Sequence, residues 1–427
     1  MNVYKNPAKE TWNELVRRPQ LELGFLESSV RNILNRVKKS GDQALRDLTL
    51  QYDKVSIGDL EVTKEEMNEA RQNVSGELKK AIQTAADNIA KFHSAQKREP
   101  LVVETMPGVK CWRKAVPITK VGIYIPGGTA PLFSTVLMLG IPATLAGCSE
   151  IILCTPPSKD GKIHPAILFA AEVVGMTRIF KAGGAQAIAA MAYGTETIPN
   201  VYKIFGPGNQ YVTKAKQLVT EEGVAIDMPA GPSEVLVMAD ETCDPAFVAA
   251  DLLSQAEHGE DSQVMLILLD ASKLDSIQDE LDEQVRQLPR REIAQRCLAN
   301  SRTVIFDDEA QAVGFTNEYA PEHLIINTSN APAIAEQIVN AGSVFIGNFS
   351  PEAIGDYASG TNHTLPTNGY AKAYAGVSLE SFLKYITYQQ LTEAGIRNVG
   401  PFVERLAEAE ELAAHQRAVT IRLKSLS

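Results

Sequence analysis

The chain predicts an α/β fold of two Rossmann-like parallel-sheet domains, with a helical N-terminal segment and an extended helical C-terminal tail. Three observations carry that reading. From Lys120 onward, short apolar runs end in glycine or proline and lead into helical stretches: VGIYIPGG, EIILCTPP, RIFKAGG and KIFGPG. Strands of a parallel sheet covered on both faces have this composition. A second set (EVLVMAD, QVMLILLD, RTVIFDD, HLIINTS, SVFIG) repeats the pattern between residues 234 and 347, and apolar residues at helical spacing frame both ends of the chain.

In chain order, residues 1–20 read as a polar N-terminal extension. Val30, Ile33, Leu34 and Val37 recur at three and four, as do Leu78, Ile82, Ala85, Ile89 and Phe92, so the first hundred residues read as helical. Thr63 followed by Glu66 is a capping box, and His93, ending the second stripe, is an ordinary surface or packing residue. The two strand sets divide the chain into a discontinuous domain, 21–120 with 233–376, and a second, 121–232, with AIDMPAGPS (225–233) as the crossing. Helices are expected at 244–257 and 331–341. Beyond Ser381 the chain reads as helical again, so 377–427 forms the tail, whose stretch 403–423 is rich in Ala, Leu, Glu and Arg.

At 427 residues with 44% hydrophobic and 22% charged residues, the chain is globular and long enough for two or three cores. A net charge of −11 excludes the clustered basic face that nucleic acid requires, and points to a small-molecule partner. No stretch is long and apolar enough to cross a bilayer, and the first twenty residues lack a signal peptide's apolar core, so the expected location is cytoplasmic. Five cysteines are scattered without a Cys-x-x-Cys pair, which leaves any metal to other ligands.

Gly127-Gly128, Gly183-Gly184 and Gly206-Pro207-Gly208 each sit between a strand end and a helix, where free N–H groups can hold a phosphate. The G-x-G-x-x-G fingerprint is absent, so these glycines serve either a nucleotide or simply tight turns. Tyr124, Gln186 and Asn209, beside those loops, can hydrogen-bond a ribose or base. Gln255 and His258, three apart at a helix end closed by Gly259, leave one face. Taken singly, His258 is a dipole-stabilised helix end, Asp356 a cap or turn residue, and His415 the partner of Glu411 in a surface ion pair. Together, Gln255, His258, Asp356 and His415 make a nitrogen and oxygen donor set suited to zinc or manganese.

With those residues in hand, the chain resembles the histidinol dehydrogenases. The strings VGIYIPGGTAPLFSTVLMLGIPA, AGGAQAIAAMAYGTE, FGPGNQYVTKAK, DMPAGPSEVLV, LLSQAEHG, YAPEHL and GSVFIGNFSPEAIGDYASGTNHTLPT, with the tail around His415, are similar to that family's motifs in order across residues 121–419. The resemblance implies a four-electron oxidation of L-histidinol to L-histidine with two NAD and one zinc per site. By matched position it implies Gln255, His258, Asp356 and His415 as zinc ligands and Glu322 and His323 as the acid–base pair. Substrate contacts would be Ser233, Gln255, His258, His323, Asp356, Glu410 and His415, and NAD contacts Tyr124, Gln186 and Asn209. It further implies a homodimer whose tail reaches the other subunit's site. Helical geometry favours Glu411 over Glu410 as company for His415; the motif favours Glu410.

Removing hydride from an alcohol requires a base for its hydroxyl proton, and an imidazole such as His323 suits that step. The aldehyde must then add water before a second hydride can leave, and Glu322 is the natural base for that water. The alternative for Glu322-His323 is a polar loop before a strand. The rival functions are a zinc hydrolase, against which the absent H-E-x-x-H helix speaks, and an exported two-lobed binding protein, against which the polar start speaks. His164 and His363 stay unassigned; His363, close to Asp356 in sequence, is a pocket residue and not a ligand.

Overall fold

A computed structural model of the chain describes residues 1–18, 24–127, 130–229 and 231–426. Gly128 and the expected boundary at residues 20 and 21 lie outside the described residues. The chain opens with β1 (Asn2–Lys5) and α1 (Trp12–Leu15), followed by α2 (Gly24–Tyr52), α3 (Lys64–Asn73) and α4 (Gly76–Ser94). A hairpin, β2 (Val102–Met106) and β3 (Val109–Pro117), precedes the first alternating set. That set runs β4 (Lys120–Tyr124), α5 (Phe133–Ala146), β5 (Glu150–Thr155), α6 (Pro165–Val173), β6 (Arg178–Lys181), α7 (Gly184–Tyr193), β7 (Lys203–Phe205), α8 (Gln210–Thr220) and β8 (Ala225–Ile226). The second set is β9 (Glu234–Ala239), α9 (Pro245–Ala256), β10 (Gln263–Leu268), α10 (Leu274–Gln287), α11 (Arg291–Ala299), β11 (Arg302–Ile305), α12 (Glu309–Tyr319), β12 (His323–Asn327), α13 (Ala331–Ala335), β13 (Ser343–Ile346) and α14 (Glu352–Tyr357). The chain ends in β14 (Leu383–Leu391), α15 (Glu393–Ala409) and α16 (Ala413–Lys424).

Two parallel sheets result. One has the order β6-β5-β4-β7-β8, the other β1-β11-β10-β9-β12-β13. In each, the chain steps outward from a central strand and then crosses back to its other side, which leaves a switch point between β4 and β7 and another between β9 and β12. β9 and β10 are buried along their whole length, as strands covered on both faces must be. A third, antiparallel sheet, β14-β3-β2, stands apart from both.

Five expectations meet a different structure. The N-terminal residues are no mere extension: β1 pairs in parallel register with β11 and forms the edge of the six-stranded sheet. The helices of residues 24–94, expected with 233–376, pack chiefly on the other sheet, and Asn88 of α4 also donates to the Ala358 carbonyl at 2.9 Å. The apolar stripe of α2 (Val30, Ile33, Leu34, Val37) is buried with residues of α7 and α8, and Ile82, Ala85 and Ile89 of α4 are buried with those of α5, so these helices cover the five-stranded sheet. The tail is not helical throughout, because Leu383–Leu391 pairs antiparallel with Val109–Pro117. The stretch 403–423 is two helices rather than one, broken where Glu411 adopts a left-handed φ of 59°. The helix expected at 331–341 is a short α13.

Other local readings hold. The Thr63 hydroxyl accepts from the Glu66 amide while the Glu66 carboxylate accepts from the Thr63 amide. α9 starts at Asp244, whose carboxylate accepts from the Ala246 amide, and the Asn209 side chain caps α8 in the same way. His93 is a packing residue, fully buried, while Phe92 beside it is exposed. Leu45 of α2 is fully enclosed in the core shared with α7 and α8. Leu45→Ala is expected to lower stability by about 2–5 kcal/mol in urea unfolding, and a loss below 1 kcal/mol would contradict that enclosure.

Candidate active site

Glu322 and His323 sit at the amino edge of the six-stranded sheet, where the chain leaves α12 and enters β12. Ala320 ends α12 in a left-handed conformation with φ 52° and ψ 66°, and Pro321 follows, so the turn into the strand is sharp. Backbone bonds from the Gly342 amide to the Pro321 carbonyl and from the Ser343 amide to the Glu322 carbonyl fix it against β13. α9 starts beyond the far end of β9 and runs back antiparallel to it. Its last turn therefore brings Gln255 and His258 to this same edge.

One residue holds both side chains. The amide of Glu234, first residue of β9, donates to Glu322 Oε2 at 2.8 Å, and its carbonyl lies 3.0 Å from His323 Nδ1. A carbonyl can only accept, so Nδ1 carries the proton and Nε2 presents its lone pair when the ring is neutral. Nε2 is buried without a hydrogen-bond partner and lies 3.4 Å from Asp356 Oδ1, which is also unpartnered. Glu352 Oε2 stands 4.0 Å from Nδ1, and Glu352 Oε1 accepts from the Ser254 hydroxyl at 2.7 Å. Ser233 lies directly before Glu234, so it borders the same space.

Burial dominates the electrostatics. It pushes Glu322 up to about 8, against the pull of His323, and Glu352 and Asp251 each up to about 7. Burial alone would lower His323, but Glu322, Asp356 and Glu352 surround the ring and hold its pKa well above the ordinary value. Asp356 is displaced downward: burial raises it, and its contacts with His323 more than reverse that. His258 stands at an exposed rim, yet the packed atoms around its ring lower its pKa and favour the neutral, ligating form.

Of the four expected metal ligands, His258 and Asp356 lie close enough to affect one another, and Gln255 precedes His258 by three residues. Gln255 Nε2 and Asp356 Oδ1 are buried and unpartnered, and a flip of the Gln255 amide puts its oxygen where Nε2 stands. Among the described residues, no three of His, Cys, Asp and Glu come together as a metal group. His415 and Glu410 are elsewhere, on the exposed hairpin of α15 and α16. The left-handed Glu411 lies outside α16, so it forms no helical pair with His415. His363 Nδ1 donates to the Asp356 carbonyl at 2.8 Å, and its Nε2 lies 3.0 Å from the Thr135 hydroxyl. It anchors Asp356 to α5.

Tyr124, Gln186 and Asn209 gather at the carboxyl edge of the five-stranded sheet. Tyr124 ends β4 and its hydroxyl accepts from the Gly184 amide at 2.9 Å; Gln186 is buried in the first turn of α7; Asn209 caps α8. Tyr124 and Asn209 thus flank the switch point between β4 and β7, where crevices form in open parallel sheets. Gly206, φ 126°, comes so close there that a Cβ would lie 2.0 Å from the Tyr124 carbonyl oxygen. Its amide donates to Asp227 and its carbonyl accepts from Lys216, and Lys216 and Asp227 form a buried ion pair.

The sequence reading missed Glu234, Glu352, Asp251 and Arg18. Glu352 carried one signal, its place one helical turn before Asp356. Glu234 functions through its backbone, which no side-chain motif announces.

The chain is similar to known proteins over nearly its whole length. The family profile described as Histidinol dehydrogenase matches residues 16–423. The histidinol dehydrogenase of Bacteroides thetaiotaomicron is 58% identical over 426 residues, covering all of both chains. The chloroplastic enzyme of Arabidopsis thaliana is 52% identical, over 97% of this chain and 89% of that protein. The crystal structure of histidinol dehydrogenase from Elizabethkingia anophelis superposes with a TM-score of 0.98 at 55% identity, covering 100% of this chain and 98% of that one.

Asp251 offers a test of the buried acidity. A carboxyl whose folded pKa exceeds its unfolded value binds a proton on folding, so its stability contribution is whole below about pH 4 and is lost as pH climbs through about 7. Asp251→Asn is therefore expected to exceed the wild type at pH 8 by on the order of 1–4 kcal/mol, with the gap closing toward pH 4. Unfolding curves that differ equally at both pH values would show that Asp251 titrates normally.

Proposed function

The chain belongs to the histidinol dehydrogenase family, and from that premise we propose which of its residues carry the reaction. The reaction is the NAD-dependent oxidation of L-histidinol to L-histidine through histidinaldehyde, the last steps of histidine biosynthesis, which makes the chain an oxidoreductase.

The observation that carries the assignment is the tautomer of His323. With Nδ1 committed to the Glu234 carbonyl, Nε2 is free to take the substrate hydroxyl proton as hydride leaves the carbinol carbon. The carboxylates around the ring strengthen it as a base. Glu322, with its pKa pushed up to about 8, is a stronger base than an ordinary carboxylate, and it removes a proton from the water that adds to the aldehyde. The hydrated aldehyde then has a second hydride to give, and His323 serves again.

Gln255, His258 and Asp356 would hold a zinc ion, with His415 of a second copy as the fourth ligand. When bound, zinc supplies a fixed positive centre that binds the substrate's nitrogens and sets its carbinol in place. Ser233 and Glu410 complete the substrate contacts, with Glu410 also from the second copy. Tyr124, Gln186 and Asn209 hold NAD, which accepts the hydrides. The exposed hairpin of α15 and α16, with Phe402, Leu406 and Ile421 open to solvent, supports a homodimer with exchanged tails. Among the described residues no helix is long and apolar enough to cross a membrane. We assign the protein to the cytoplasm and to a small-molecule substrate, with neither nucleic acid nor membrane as partner.

Absorbance at 340 nm on mixing the protein, NAD and histidinol, with and without a chelator, tests the whole reading; it is falsified if no NADH forms in zinc-replete enzyme. Glu322→Gln is expected to keep alcohol oxidation and to lose aldehyde oxidation by ~10²–10⁴-fold. Equal loss in the two half-reactions, assayed separately, would contradict the division of roles. His415→Asn is expected to lower zinc content and activity together, and full metal occupancy by atomic absorption would remove His415 from the ligand set.

A further inference from the structure

We propose that Arg18, from the N-terminal segment, is a positioning residue for the acid–base pair: it clamps Glu234 and the turn into β12 and thereby sets the orientation of Glu322 and His323. The inference rests on the assignment of those two residues and adds to it a part of the chain far from any motif.

The contacts form a closed loop. Arg18 Nε donates to Glu234 Oε1 at 3.0 Å and Nη2 to Glu234 Oε2 at 2.8 Å, a two-point grip on a fully buried carboxylate. Glu234 Oε1 also accepts from the Asn368 amide at 2.8 Å. The guanidinium carbon lies 3.6 Å from the ring centre of Tyr319, itself fully buried, and Nη2 reaches the carbonyl of Ala320 at 3.5 Å. Arg18 thus touches the side chain of the residue whose backbone holds both catalytic groups, and the two residues that lead into them. Ala320 adopts a left-handed conformation that an alanine reaches only at a cost, and Arg18 braces it on one side.

The consequence is geometric. A shift of the Glu234 backbone would move its amide from Glu322 and its carbonyl from His323 together, misplacing one base and freeing the other's tautomer. A lysine cannot substitute, because it offers a point charge where two parallel bonds and a flat stacking face are used. Neither the NAD crevice nor the zinc ligands touch Arg18. Its removal is therefore expected to lower kcat in both half-reactions by ~10²-fold with KM for NAD unchanged.

The test uses full-length, zinc-loaded enzyme. Arg18→Ala should lose kcat in both half-reactions, keep its affinity for NAD and its zinc content, and regain activity with millimolar guanidinium but not ammonium. Arg18→Lys, which retains a cation and serves if the alanine variant does not fold, should be folded and similarly impaired. Full activity in either variant overturns the inference, as does a loss that tracks a fall in thermal stability and that guanidinium does not repair. Glu322→Gln is assayed beside them. If it is fully active, the acid–base reading itself fails; if it is impaired while Arg18→Ala is indifferent, only the positioning role falls.

Discussion

The side chains of Glu322 and His323 both depend on the peptide groups of one residue. Glu234 gives its N–H to Glu322 and its C=O to His323, so the separation and facing of the two bases are set by backbone geometry and not by flexible side chains. β9 is the central strand of its sheet, buried along its length and paired on both sides, so its first residue has little freedom. The buried carboxylates that crowd His323 are tolerable because each has a donor or a cationic ring nearby.

Open parallel sheets usually carry their ligands at the carboxyl edge, and Tyr124 and Asn209 stand at that edge of the five-stranded sheet. The six-stranded sheet presents its amino edge instead. The bridge between the two is His363, which touches Thr135 near the start of α5 and the carbonyl of Asp356. A helix of the five-stranded sheet is thereby tied to the segment that carries Asp356.

Much of this was legible in the sequence. Every expected strand of the two parallel sets is present; β9, β10 and β12 are buried throughout and leave largely apolar runs, and β13, though only partly covered, keeps one as well. The capping box of Thr63 and Glu66 and the cap at Asp244 were readable because they are local. What escaped was non-local or exposed. β14 lies open to solvent and pairs with β3 across 266 to 282 residues, so neither burial nor proximity announced it. The break at Glu411 has no glycine to mark it. The packing of α2 and α4 on the five-stranded sheet is a choice between two apolar surfaces, and periodicity names a face without naming its partner. The link from Arg18 to Glu234 spans 216 residues. The metal-type residues were found through resemblance and not spacing, since they come from three separate helices.

The pairing of β1 with β11 has a consequence for how the protein is made. During synthesis Asn2 to Lys5 emerge some three hundred residues ahead of their strand partner, Arg302 to Ile305. The sheet's edge strand must therefore wait, unpaired, while most of the chain is translated, and closes only as a late event of high contact order. Its polar, largely exposed residues keep that waiting strand soluble and a poor template for its neighbours.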